Sequence, residues 1–177
     1  MQGVSNSNTT GVLVLGATNL PWGLDGAMRR RFEKRIYIPL PEEGARFYML
    51  QNSMKNESHS MSEDDFKLVA SKCEFFSGSD MSTLIKNACY EPLRRFQTTT
   101  HFKQVTKPDG KIAWMACNPT DPGAQIIKKE TLRSDEIMKS LIDMDAFMKA
   151  VHSTKPTVGP GDLKKYEEWT KEFGMEG

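Results

Sequence analysis

The stretch Gly11-Val12-Leu13-Val14-Leu15-Gly16-Ala17-Thr18-Asn19, followed after a short crossover by Arg29-Arg30-Arg31-Phe32-Glu33-Lys34-Arg35-Ile36-Tyr37-Ile38-Pro39-Leu40-Pro41, decides the fold. Its first part is continuously apolar between two glycines, the pattern of a strand covered on both faces of a parallel sheet. Asn19 stands just past the carboxyl end of that expected strand, where open α/β sheets bind their ligands. A side chain there can reach a phosphate or a water, or it can satisfy its own backbone as a turn asparagine. Residues 24–32 have helical content, with Asp25 near the start and arginines in the last turn, as the macrodipole favours. Arg35 to Pro41 reads as a second strand stopped by prolines, which cannot donate to a ladder. The connection between the two strands is long enough for a right-handed crossover.

Beyond Pro41 the apolar period changes from two to nearly four. Ala45, Met49 and Leu50 begin a helical stretch that fades into the polar residues 55–61. Ser62 with Asp65 three residues on reads as a capping box, and Phe66, Val69, Ala70 and Cys73 follow at helical spacing. A further helix carries Met81, Leu84, Ile85, Ala88 and Leu93 on one face. At its start lies Ser77-Gly78-Ser79-Asp80. Glycine permits close backbone approach to a ligand, and a helix amino terminus offers free N–H groups with a partial positive charge. The plainer alternative is a loop glycine followed by an N-cap serine.

Phe102 to Val105, a Pro108-Asp109-Gly110 turn and Ile112 to Met115 read as a hairpin, and Ala124 to Ile127 could add a third short strand. An apolar stripe of Met144, Phe147, Met148 and Val151 then marks a helix that ends before Pro156. The last helix runs from about Asp162 to Gly174, with Leu163, Tyr166, Trp169, Thr170 and Phe173 near one side.

Composition narrows the function classes. With 24 basic and 23 acidic residues the formal charge is +1, so nothing global points to nucleic acid or an anionic membrane. Cys73, Cys89 and Cys117 match neither a disulfide framework nor a zinc spacing, and reduced thiols in a packed core are expected. His59, His101 and His152 have no ligand partner at a metal-binding spacing. No apolar run approaches a membrane span and no signal peptide opens the chain. There is no Gly-x-x-x-x-Gly-Lys-Ser/Thr loop and no apolar strand ending in Asp-Glu.

Taken together, Gly16 to Trp22, Leu24-Asp25 and Arg29 to Pro41 resemble the second half of an AAA ATPase core, above all the clade of katanin, spastin, fidgetin and the vacuolar protein sorting-associated ATPase. The expected fold class is α/β plus α+β. It comprises a partial P-loop-type α/β subdomain (1–43), a small helical lid (44–100), an inserted antiparallel β domain (101–130) and returning carboxyl-terminal helices (131–177). Met1 to Val4 resembles an interior family segment, so the chain reads as a carboxyl-terminal piece. The β insertion, with its His101-Phe102-Lys103 start and Asp121-Pro122-Gly123-Ala124 exit, resembles that of the vacuolar protein sorting type.

The resemblance implies roles. Asn19 matches the sensor 1 position, which contacts the γ-phosphate or positions the attacking water. Arg30 and Arg31 match the arginine fingers that reach into a neighbouring subunit's site, while Arg29, Lys34 and Arg35 read as a solvated basic helix end. Gly78 and Ser79 would line the adenine pocket, and no arginine follows them in the first turn. The implied cofactors are ATP and magnesium, with the magnesium ligands outside this chain. The implied partners are copies of itself in a ring, a hexamer, together with ESCRT filament subunits and an activator protein at the β insertion. No nucleic acid partner is implied. The setting would be cytoplasmic, peripheral at endosomal membranes. A microtubule-severing relative of katanin or spastin is an alternative that should lack the β insertion; a non-catalytic binding module is another.

Overall fold

The computed structural model of the chain describes residues 13–32 and 34–174. The readings placed on Met1 to Val4 and on Gly11 and Val12 lie outside them. Two compact units emerge: Leu40–Thr157 forms one, and the residues up to Pro39 together with those from Val158 onward form the other.

In the second of these, one short helix, α1 (Gly26–Arg31), follows a 3₁₀ turn at Pro21–Gly23. Asp25 caps α1 by accepting from the Met28 N–H at 2.7 Å. The expected parallel strands are not formed. Described residues 13–17 and 34–40 carry no ladder, and Leu13, Leu15 and Ile38 are 87%, 88% and 85% exposed. The reason is physical: a strand exists only with neighbours to take its N–H and C=O groups, and apolar content alone supplies none. What orders this unit instead is the last helix, α6 (Pro160–Phe173). Tyr166 of α6 stacks on Tyr37 at 6.0 Å, meets Trp22 at 5.0 Å, and donates its hydroxyl to the Asn19 carbonyl at 2.7 Å.

The Leu40–Thr157 unit has a true core. Helices α2 (Glu43–Met54), α3 (Glu63–Lys72), α4 (Gly78–Thr98) and α5 (Met144–Ser153) bury Leu50, Met54, Val69, Met81, Leu84 and Phe147 completely. Capping boxes start α3 at Ser62–Asp65 and α4 at Ser77–Asp80. The amino cap of α4 is thus Ser77, with Gly78 the first helical residue, rather than a serine after a loop glycine. Leu93, expected on the buried face, is half exposed. Five residues beyond Ala88, it is rotated by about 140° from the stripe. Phe96 takes over and packs edge-on against Phe102.

Between α4 and α5 lies the antiparallel sheet β2-β1-β3, made of β1 (His101–Thr106), β2 (Ile112–Ala116) and β3 (Gln125–Ile126). Gly110, in the hairpin turn, has φ +82°, a region that favours glycine. Phe102 and Ala113 point inward with no exposure, while Ile112 and Ile126 face outward.

These placements set two expected stabilities. Phe147→Ala should cost about 3–5 kcal/mol through lost burial and a cavity beside Phe66. Leu93→Ala should cost less than about 1 kcal/mol. Urea unfolding of both variants checks the contrast; equal losses would contradict the placement of Leu93.

Candidate functional site

Four arginines surround α1, and the fold uses them in two ways. Arg29 donates to the Leu24 carbonyl at 3.0 Å and lays its guanidinium 4.7 Å from the centre of the Phe173 ring. Arg35 donates to three carbonyls, those of Phe173 (2.5 Å), Arg29 (2.8 Å) and Phe32 (2.9 Å). Both were read from sequence as solvated charges, and both are instead tied down. Arg30 and Arg31 are exposed and have no acidic partner within 4 Å among the described residues. A shallow groove of about 450 Å³ runs beside them, lined by Gly26, Arg29, Arg30, Arg35 and Phe173.

Asn19 belongs to the same unit. The Tyr166 hydroxyl occupies its carbonyl, and Thr18 Oγ1 accepts from the Leu20 N–H at 3.1 Å, so the Asn19 backbone is fixed while the residue remains exposed.

Gly78 and Ser79 lie in the other unit, in the first turn of α4. Ser77 Oγ accepts from the Asp80 N–H and the Ser77 carbonyl from the Met81 N–H, which leaves the Gly78 and Ser79 N–H groups at the helix start for an outside acceptor. A Cβ on Gly78 would come 3.7 Å from Met49 Cε, an ordinary van der Waals contact, so packing alone does not demand glycine there. The free N–H groups of this ledge can meet a hydrogen-bond acceptor, and that is the respect in which the residues present suit the base of a nucleotide. Magnesium is different: the described residues contain no group of three or more His, Cys, Asp or Glu able to hold a metal ion.

Asp80 is the organising group beneath this ledge and is almost wholly buried. Its Oδ2 accepts from the Ser77 N–H (2.9 Å), Ser77 Oγ (2.8 Å), the Thr157 N–H (3.2 Å) and Thr157 Oγ1 (3.0 Å). Burial by itself would raise the carboxyl pKa, yet these hydrogen bonds outweigh it and hold the group below its ordinary value of 3.8. The sequence reading offered the serine after Gly78 as the cap, and nothing in it pointed to Ser77 in that role or to Thr157, 77 residues from Asp80.

A larger hollow of about 790 Å³ lies between the end of α4, the sheet and the start of α5. Its charges are matched internally. Arg95 pairs with Asp143 (2.8 Å) and Asp145 (2.9 Å), Lys103 with Asp121 (3.0 Å) and Lys149 with Asp145 (3.1 Å). It therefore offers no unbalanced charge to a ligand. The Arg95 guanidinium holds the Asp143 carboxyl below its usual range, and the same carboxyl caps α5 through the Ala146 N–H. Burial pushes the Cys73 thiol up to about 11, which fits a packing role.

Residues 63–107 match the AAA+ lid domain and residues 114–174 match the Vps4 C terminal oligomerisation domain. The chain is 41% identical over 184 residues to vacuolar protein sorting-associated protein 4B of Mus musculus, a match that covers all of this chain and 41% of that protein. The chain thus spans about two fifths of the length of the curated relatives it matches. Among solved structures, the FIGL-1 AAA domain aligns with a TM-score of 0.71 at 30% identity, over 98% of this chain and 48% of that one. A chain from the crystal structure of Vps4 and Vta1 aligns with a TM-score of 0.53 at 27% identity, over 66% of this chain and 100% of that one.

The depressed carboxyls give a signed pH dependence. Asp80 and Asp143 bind their protons at lower pH in the folded chain than in the unfolded one, whose value is about 3.8. Their contribution is complete well above pH 4 and drains away as pH falls from there through the native values. The urea midpoint is expected to fall between about pH 5 and about pH 2. Asp80→Asn should lower the midpoint at pH 7 and flatten that acid limb; an unchanged limb would show that Asp80 is not one of its sources.

Proposed function

Because the chain belongs, by its two domains and by homology along its whole length, to the Vps4 type of AAA protein, we propose that it forms the carboxyl-terminal part of an ATP-hydrolysing ring that disassembles ESCRT filaments in endosomal sorting. One observation carries the chemical side of this reading. Of the four arginines in and just after α1, Arg30 and Arg31 alone are exposed and unpaired among the described residues, while Arg29 on the helix and Arg35 beyond its end are locked.

In this reading Arg30 and Arg31 are arginine fingers acting on the nucleotide of the next protomer. A guanidinium stays charged at any physiological pH and presents parallel N–H groups to phosphate oxygens. Such a finger supplied in trans is worth about 10³ to 10⁵ in rate, or about 4–7 kcal/mol of barrier. Asn19 orients the attacking water or touches the γ-phosphate of its own site, and Gly78 with Ser79 line the adenine. Magnesium-bound ATP, when held, supplies the phosphoryl group and the metal charge that its transfer requires; the metal's ligands belong to other parts of the longer protein. The division into a large subdomain (1–43), lid (44–100), β insertion (101–130) and returning helices (131–177) goes with this reading.

The sheet between α4 and α5 supports the sorting ATPase over a microtubule-severing relative and is the proposed docking surface for an activator. Its β2 edge is partly covered by a bridge from Trp114 to Ile137. The β3 edge carries the 77% exposed Ile126 and is the more open one for strand addition. Among the described residues no helix is long and apolar enough to cross a membrane, and peripheral, indirect association with endosomes is part of the proposal. The domain described for residues 114–174 as an oligomerisation domain supports self-assembly, for which a hexameric ring is proposed.

In the intact protein, Arg30→Ala or Arg31→Ala is expected to cut ATP turnover by about 10³ or more while nucleotide affinity changes little. Turnover assays paired with fluorescent-nucleotide titration check this, and near-normal turnover in assembled rings would remove that arginine from the mechanism. The isolated 177-residue chain, lacking a phosphate loop, is expected to show no ATP turnover; magnesium-dependent hydrolysis by the pure chain would contradict it.

A further inference from the structure

Arg35 does something that its place in a basic run conceals. Helix α1 has six residues, too few to be stable by its own hydrogen bonds. Its carboxyl-terminal carbonyls need donors from outside the helix, and Arg35 Nη1 donates to that of Arg29 and to that of the cap residue Phe32. The same guanidinium turns its Nε to the carbonyl of Phe173, the last residue of α6 and 138 positions away. Phe173 is gripped a second time, through its ring, by Arg29. A planar guanidinium can serve these three carbonyls at once; a lysine ammonium, a point charge on a flexible stem, cannot hold the same fixed fork.

We infer that Arg35 is a positioning residue for the arginine fingers, clamping the end of the Arg30–Arg31 helix to the last turn of α6. The inference rests on the finger reading above. Arg35 reaches no reacting atom; it fixes the direction in which its neighbours project. Misplacing a reacting group by about 1 Å costs about a hundredfold in rate, so Arg35→Ala is expected to reduce turnover in the intact ring by about ten- to a hundredfold, with KM for ATP little changed. Arg35→Lys should restore only part of that loss.

Because fingers act on the neighbour's site, mixing subunits separates positioning from general damage. Asn19→Ala subunits keep intact fingers but lose their own site, whereas Arg35→Ala subunits keep their own site but misdirect their fingers. Neither variant should turn over ATP well alone. An equal mixture of the two, assembled from denaturant-free monomers, should recover about a quarter of wild-type turnover, since about one interface in four joins an intact finger to an intact site. The reference mixture pairs Asn19→Ala with the Arg30→Ala/Arg31→Ala double variant. Failure of the reference mixture overturns the finger reading itself. Recovery in the reference mixture with none in the Arg35→Ala mixture overturns only the Arg35 inference, whether that variant fails to enter rings or has lost its own site. Wild-type turnover by Arg35→Ala alone overturns it as well.

Discussion

A backbone carbonyl at a helix end needs a donor, and in this chain the decisive donors are charged side chains that come from elsewhere in the sequence. The clearest instance is the Arg35 guanidinium, which serves the end of α1 and the end of α6 together. Without it a six-residue helix would have to keep its shape by one aspartate cap, the Arg29 side chain and its own few backbone bonds. Locking Arg35 and Arg29 also defines, by subtraction, which cations are left to act. Whether an arginine is held by the fold or left exposed is thus decided by its hydrogen-bond partners and not by the residue type.

The same device recurs with opposite charge in the Leu40–Thr157 unit. One oxygen of Asp80 gathers the start of α4 and the backbone of Thr157. A buried carboxylate is costly unless its lone pairs are filled, and four donors fill them here. Arg46 repeats the pattern with positive sign: buried, it donates to the Ala70 and Pro41 carbonyls and so joins α3 to the segment before α2. In each case a single ionised group fixes two segments that hydrophobic packing alone would leave free to slide.

What the sequence revealed, and what it hid, follows from the range of the forces involved. The capping box at Ser62 and the Pro108-Asp109-Gly110 hairpin rest on contacts only a few residues apart, and they stand where the pattern put them; the cap of α4 fell two residues earlier than read, at Ser77. Leu93 was misplaced because a simple list of apolar residues ignores the helical phase beyond Ala88. The strands expected at 11–16 and 35–41 are not seen among the described residues for another reason: their apolar runs describe an environment that ladder partners must create, and the described residues provide none. For the candidate site, Asn19, Arg30, Arg31, Gly78 and Ser79 were legible from motif and spacing, as positions if not as proven roles. Arg35 was dismissed as a surface charge because its partner Phe173 lies 138 residues downstream, and Thr157 escaped notice for the same cause.

The two units are held by different physics, and that difference bears on function. In the Leu40–Thr157 unit, Leu50, Val69, Leu84 and Phe147 are sealed from water, so its ledge at Gly78 rests on a cooperative core. In the other unit neither α1 nor α6 contains a buried residue. Its order comes from the Trp22–Tyr166–Tyr37 stack and from guanidinium–carbonyl bonds, which are directional and few. Elements that move during function are drawn from the less stable parts of a protein. On the proposed finger reading, a helix held by one aspartate cap and a few guanidinium–carbonyl bonds can be redirected by modest forces, whereas one embedded in a sealed core could not. In that reading, the sensitivity of Arg30 and Arg31 to α6 follows from how little else holds α1 among the described residues.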